Sequence, residues 1–210
     1  IFLSAAAFSL AQTKTTVKSP NKNIELNFWL NDKGAPMYSV SYKSREVLLP
    51  SAMGFELKQT MSNEVLPALK DNLVVTSSTQ TSSNTKWNPV WGDVTEISDN
   101  YSQLKVSLSQ KGDKAISFNI IFKVFDDGVG FRYEFPEQKN LAHFIVSEEK
   151  TEFHLAGDHK AFWIPGDFDS NEFNPNVTKL SEVNGEDPKY AANIFAHQFF
   201  DKDAVQTPLM

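Results

Sequence analysis

The sequence contains no cysteine. That excludes disulfides, thiolate catalysis and zinc sites built on sulfur. It also excludes the acylated cysteine of a lipoprotein. Basic residues are in the minority, with 20 Lys and Arg against 26 Asp and Glu, so the formal net charge is −6. Such a balance argues against a nucleic-acid partner, which needs clustered Lys and Arg to displace phosphate counterions. Histidine is scarce: His143, His154, His159 and His197 are all there are. No two of them have the i, i+4 spacing of a helical metal pair. There is no Gly-x-Ser-x-Gly, hence no nucleophile elbow, and no glycine-rich loop to cradle a phosphate. No apolar run approaches the roughly 20 residues that span a bilayer.

What is present is aromatic. Seventeen Phe, five Tyr and four Trp stand among 210 residues that are 40% hydrophobic and 22% charged. This is a globular composition, and aromatic residues favour strands. Alternation with period two dominates the chain. Ile24, Leu26, Phe28 and Leu30 point one way, opposite Glu25, Asn27 and Trp29. Asn31–Gly34 reads as a turn, and Met37, Val40 and Tyr42 begin a second strand. Leu104, Val106 and Leu108 alternate with polar residues, and Ile116, Phe118, Ile120, Phe122 and Val124 form the strongest strand. Asp127-Gly128 supplies the positive φ of a tight hairpin, after which Phe131, Tyr133 and Phe135 return. Further strands are expected at 144–147, 151–155 and 161–164. Asn63–Leu69 reads as a short helical turn interrupted by Pro67. Thr76–Thr85 reads as an exposed loop or an edge strand, and 184–203 as a long loop or insertion. Short strands separated by turn residues argue for an antiparallel sandwich or barrel.

The first residues, Ile1 to Ala11, form a short apolar run that ends in small side chains. This fits the central segment of a secretory signal, cut before Gln12. Export without cysteine suits the bacterial periplasm, with no membrane attachment once the signal is removed. The chain is expected to be a piece cut at both ends: residues 1–11 a signal remnant, and 12–210 one incomplete β-sandwich domain.

Three stretches carry candidate chemistry. In Trp87-Asn88-Pro89-Val90-Trp91-Gly92, two tryptophans either stack on the apolar faces of a sugar or anchor a loop onto the sandwich. In Gly128–Pro136, Arg132 and Glu134 share one strand face, which suits cross-strand pairing better than catalysis. Gly157–Phe173 places Asp158, Asp167, Asp169, Asn171 and Glu172 within fifteen positions. Oxygen groups of this kind suit a hard cation such as calcium, or form a solvated acidic turn. Asp167, Asp169 and Asn171 mimic the start of an EF-hand loop. Position six is Glu172 where glycine is needed, and position twelve is Thr178 where glutamate is needed, so an EF-hand is rejected.

In this order the stretches resemble the N-terminal domain of glycoside hydrolase family 97, as in periplasmic α-glucosidases of starch utilisation. The matching residues include Ser19-Pro20-Asn21, Gly34-Ala35-Pro36, Trp87–Gly92, Asp127–Pro136, Gly157–Glu172, Leu180-Ser181-Glu182 and Val205-Gln206-Thr207. The resemblance covers about residues 17 to 210 and is weak at 59–85 and 184–200. It implies an all-β, galactose-mutarotase-like antiparallel β-super-sandwich that ends before a (β/α)8 catalytic barrel. It implies calcium as cofactor, with Glu172 as one metal ligand, and an oligosaccharide as substrate. Asp167, Asp169 and Asn171 are expected to shape the loop. The catalytic carboxylates are expected on the barrel, so this chain by itself holds none. The competing readings are a carbohydrate-binding module that uses Trp87 and Trp91, and a purely structural domain.

Overall fold

The computed structural model describes residues 14–59, 65–166, 174–187, 189 and 204–206. They divide into two compact units, one up to His154 and one from Leu155 onward. Among the described residues no helix is long and apolar enough to cross a membrane. Among the described residues the named elements are strands and one 3₁₀ turn, Leu180–Glu182. The remnant run 1–11 lies outside the described residues, as do 188 and 190–203 of the expected long loop.

The first unit is an antiparallel sandwich. One sheet joins β1 (Thr15–Lys18), β2 (Ile24–Leu30), β3 (Pro36–Tyr42) and β4 (Arg45–Ala52) in sequence order. The other joins β6 (Leu73–Trp87), β7 (Ile97–Gln110), β8 (Ser117–Phe125) and β9 (Val129–Glu134), also in sequence order. Between them in the chain, β5 (Phe55–Gln59) pairs with β10 (Phe144–Glu149). Successive side chains of a strand point to opposite faces, so the period-two pattern decides which residues meet. Leu26 lies opposite Val40 and Phe28 opposite Tyr38 in the first sheet. Leu104, Val106 and Leu108 lie opposite Phe122, Ile120 and Phe118 in the second. All ten are buried and belong to one core cluster. The sheets meet through rings: Phe122 lies 6.0 Å from Phe28 and 6.2 Å from Tyr38, centre to centre.

Two polar handles enter this core with partners. The Tyr38 hydroxyl donates to the Glu152 carbonyl at 2.7 Å, and burial pushes its phenol up to about 12. Burial likewise raises the Tyr133 phenol, which sits 2.5 Å from the Thr151 hydroxyl. Buried polar groups persist only when bonded, so residues 151–152 are part of the core's closure.

Turn chemistry sets the ends. The Asn31 side chain accepts from the N–H groups of Lys33 and Ala35, both at 3.0 Å. Gly34 has φ +73, and a Cβ there would lie 2.8 Å from the Leu73 backbone. Gly54 is tighter, with φ +150 and the Leu69 carbonyl oxygen 2.5 Å from a built Cβ. Glycine is required at both places.

Several expectations need correction. The helical turn over Asn63–Leu69 is absent from its described part, 65–69. Val65 bridges Lys58, the Leu66 N–H donates to Leu57, and Phe55 and Leu69 exchange two backbone bonds. Pro67 has no N–H to give a helix, and the segment instead lies along β5. The strand expected at 151–155 is irregular backbone. Lys150, Glu152 and His154 still bond the backbone of Gly54, Ala52 and Leu49, without forming a ladder. Thr76–Thr85 is the edge strand of the two alternatives, within β6. β1, β4, β5 and β12 (Asn176–Lys179) are strands that the alternation did not mark. For β4 the cause is visible: its hairpin turns on Lys43 and Ser44, both at positive φ, where Asn-Gly is the usual signal. Pro50 and two register shifts complete its irregularity, as suits an edge strand.

Phe122→Ala is expected to lower the unfolding free energy by about 3–5 kcal/mol, read from the denaturant midpoint. A loss under about 1 kcal/mol would show that this ring is not the centre of the sandwich.

Candidate functional site

The second unit carries the acidic stretch. β11 (Lys160–Trp163) pairs antiparallel with β12, with Ala161 opposite Thr178 and Trp163 opposite Asn176. Ala161, Trp163 and Thr178 are buried. The Trp163 indole N–H donates to the Thr178 hydroxyl at 2.9 Å. This hydroxyl donates in turn to the Lys179 carbonyl at 2.8 Å. Thr178 is therefore an internal strut. It was singled out in the sequence only as a failed twelfth position of a cation loop.

Asp158 is exposed and is bonded to the Leu180–Glu182 turn. Its carboxylate accepts from the Ser181 N–H at 2.9 Å and from the Ser181 hydroxyl at 2.8 Å. Those bonds, the backbone one first, hold the carboxyl below the usual aspartate range, helped by Lys179 and His159. The Glu182 carboxylate accepts from the Lys179 N–H at 3.0 Å. The Leu180-Ser181-Glu182 turn is thus fastened at both ends.

The connection between β11 and β12 starts from a second fastening. Pro165 bridges Val205. The Gly166 N–H donates to the Ala204 carbonyl at 2.9 Å, and the Gln206 N–H donates to Ile164 at 3.1 Å. A Cβ on Gly166 would lie 3.1 Å from that of Ala204. The segment 204–206 is therefore what the chain leaves as it enters the acidic loop. Asp167, Asp169, Asn171 and Glu172 themselves lie outside the described residues. Among the described residues, no three His, Asp or Glu side chains gather closely enough to hold a metal ion.

The other two stretches resolve differently. Glu134 accepts from Lys105 and from Asn119, each at 2.8 Å, and Arg132 stands 3.7 Å away. The Lys105 bond leads in holding its carboxyl low. These groups pair across strands, as their spacing suggested. Beside them Tyr101, Lys123, Phe125, Gly130 and Arg132 line a shallow depression of about 400 Å³, where the Lys123 ammonium sits 3.8 Å over the Tyr101 ring. The tryptophans do not anchor a loop onto the sandwich. Trp87 is 50% exposed, Trp91 89% and Val90 100%.

A profile of the family described as Glycosyl-hydrolase 97 N-terminal matches residues 17–210. A glycoside hydrolase family 97 enzyme from Pseudoalteromonas sp. strain K8, solved with panose, is 32% identical over 81% of this chain, with TM-score 0.72. The enzyme from the same strain, solved with acarbose, is 33% identical over 78% of this chain, with TM-score 0.69. A β-arabinopyranosidase is 22% identical over 78%, with TM-score 0.63, and shows likeness of fold alone. The chain spans 25%, 24% and 26% of these three proteins, about a quarter of each.

The Ser181 amide is expected to titrate with Asp158. A depressed folded-state pKa means the fastening is intact above the ordinary aspartate range and is lost as pH falls through the folded value. NMR should show the Ser181 amide shifting at a midpoint below 3.8, and Asp158→Asn should abolish that shift. A midpoint at or above the ordinary value would remove the fastening.

Proposed function

The chain belongs to the glycosyl-hydrolase 97 N-terminal family, and from that membership we propose that it serves a calcium-dependent, exo-acting α-glycosidase as its N-terminal domain. The observation that carries this reading is the family match over residues 17–210. It is supported by 32% identity, over most of the chain, to an enzyme solved with an oligosaccharide. The substrate is an α-glucoside or α-galactoside oligosaccharide. The catalytic carboxylates belong to a (β/α)8 barrel in the remainder of the polypeptide, so residues 1–210 alone do not hydrolyse glycosides.

In this reading Glu172 supplies one carboxylate oxygen to a calcium ion, and the barrel supplies the others. Six to eight oxygens satisfy calcium, so a single residue from this domain is a contribution and not a site. When bound, the cation would orient the sugar and stabilise developing charge. The chain's own part is positional. Strands β11 and β12 and the 204–206 segment hold the two ends of the loop on which Glu172 lies, with Asp167, Asp169 and Asn171 shaping it. Export to the periplasm belongs to the same reading, on the apolar run Ile1–Ala11.

The test uses the full-length protein. Glu172→Gln removes one charged oxygen and should weaken calcium binding at least about tenfold, or ~1.4 kcal/mol, with turnover of an α-linked oligosaccharide falling in step. Calcium affinity read by titration separates the metal role from activity. Unchanged affinity and turnover would take Glu172 out of the site. Absence of α-glycoside hydrolysis by the wild-type full-length protein would overturn the functional reading itself.

A further inference from the structure

The outer face of β7, β8 and β9 carries a lysine with no acid beside it. Strand side chains alternate faces, and Leu104, Phe122 and Val124 belong to the core. Gln103 and Lys105 of β7, Ile121 and Lys123 of β8, and Gly130 and Arg132 of β9 therefore face out. Opposite charges across strands stabilise a sheet, and Lys105 has such a partner in Glu134 at 2.8 Å. Lys123 has none. Its lateral neighbours are Gln103 on one side and Gly130 on the other. Among the described residues it forms no ion pair. Its ammonium rests instead over the Tyr101 ring at 3.8 Å.

Gly130 is the second observation. Glycine inside a strand weakens it, and this backbone does not require one. Gly130 is not among the glycines at positive φ, and a Cβ built on it meets nothing within 4 Å. Such a glycine marks a place where something else approaches the strand closely. Its missing side chain leaves open the depression of about 400 Å³, which Ile121 lines although it is buried and points outward. Small-ligand sites occupy roughly 300–1,000 Å³. The lining combines Lys123 and Arg132 with the rings of Tyr101 and Phe125 and the Gln103 amide, and holds no carboxylate. Glu134 is near, 3.7 Å from Arg132, but Lys105 and Asn119 already bond it at 2.8 Å. Asp99 lies beyond Tyr101 on the same strand face. Asp126 and Asp127 line a different depression, with Ile24 and Val40.

We propose that this depression binds a carboxylate-bearing sugar residue, a hexuronate of an acidic oligosaccharide. The Arg132 fork matches a carboxylate, and Lys123 leaves its ring contact to meet the same anion. The apolar face of the sugar ring lies against Phe125, and its hydroxyls meet the Gln103 amide. A neutral sugar would leave the Lys123 charge unused. A nucleic acid would need many more cations than two. That the ligand is a sugar rests on membership of the glycosyl-hydrolase 97 N-terminal family, and nothing in the site depends on calcium or on Glu172.

Lysine acetylation of the full-length protein, read residue by residue by mass spectrometry, tests this at the site itself. Lys123 should react freely without sugar and lose most of its reactivity on titration with 1,4-linked trigalacturonate. Lys114, which is exposed and lies outside the depression, should keep its rate. Arg132→Gln should raise the half-saturating concentration at least about tenfold, as loss of one hydrogen bond to a charged group does. Gly130→Glu should abolish the sugar effect without lowering the denaturant midpoint, because it gives Lys123 the missing cross-strand carboxylate and fills the depression. A Lys123 already unreactive in the free protein, or unprotected at millimolar trigalacturonate, overturns the proposal. So does an unchanged half-saturation in Arg132→Gln. Equal protection by cellotriose overturns it in favour of a neutral-sugar surface, and equal protection by inorganic sulfate in favour of a bare anion site. Hydrolysis of an α-glycoside measured on the same preparation reports on the proposed function alone, so either reading can fail while the other stands.

Discussion

Phe122 has to be covered from the opposite sheet, and the sandwich follows from that requirement. Its ring is fully buried. It meets Phe28 and Tyr38 across the interlayer space and Phe131 on the neighbouring strand. Fully burying one such ring stabilises the fold by about 1.5–3 kcal/mol, and the surrounding close packing makes its removal costlier still. Because strand side chains alternate faces, placing Phe122 inward also places Phe118, Ile120 and Val124 inward and sends Lys123 and Phe125 outward. The register of β7 and β9 is then set by the same face. A slip of one residue would turn every ring to solvent.

The rest of the first unit reads as the closure of this layer. Tyr38 reaches through it to bond Glu152. Tyr133 meets Thr151 and packs its ring 4.3 Å from Phe55. The irregular backbone after β10 is thereby held by the core and by β4 without being a strand itself. Where β7 outruns β8, the layer ends and a two-stranded ribbon begins, and Trp87, Val90, Trp91 and Val94 there are at least half exposed. In the second unit the same logic works at smaller scale. A buried indole bonded to Thr178, with the Asp158–Ser181 fastening, organises a two-stranded hairpin whose long connection carries Glu172.

Legibility followed regularity. β2, β8 and β9 could be read because their apolar residues alternate without interruption and their turns use Asn-Asp-Lys-Gly or Asp-Asp-Gly. β4 could not, because Lys43 and Ser44 adopt left-handed conformations without the residues that announce them. β12, Asn-Val-Thr-Lys, has a single apolar residue, and its buried member is the hydroxyl-bearing Thr178. Of the acidic cluster, Asp158 was visible as a candidate ligand. Its partner Ser181 is 23 positions away, and no spacing rule links them. The exposure of Trp91 was equally hidden, since a Trp-rich Pro/Gly loop looks the same whether it packs inward or stands out.

The order of residues by itself determined the class of the protein. Alternating aromatics make antiparallel strands, the missing cysteine rules out sulfur chemistry, and motifs in the right order identify the family. Each of these depends on contacts near in sequence or on identity alone. Tertiary structure decided the fate of individual side chains: Thr178 became a strut, Asp158 a latch, Glu134 a cross-strand partner, and Trp91 an exposed indole. Those outcomes depend on which strand runs longer than its neighbour and on which distant backbone groups come to face a side chain. Such facts arise only when the whole chain has closed around its core.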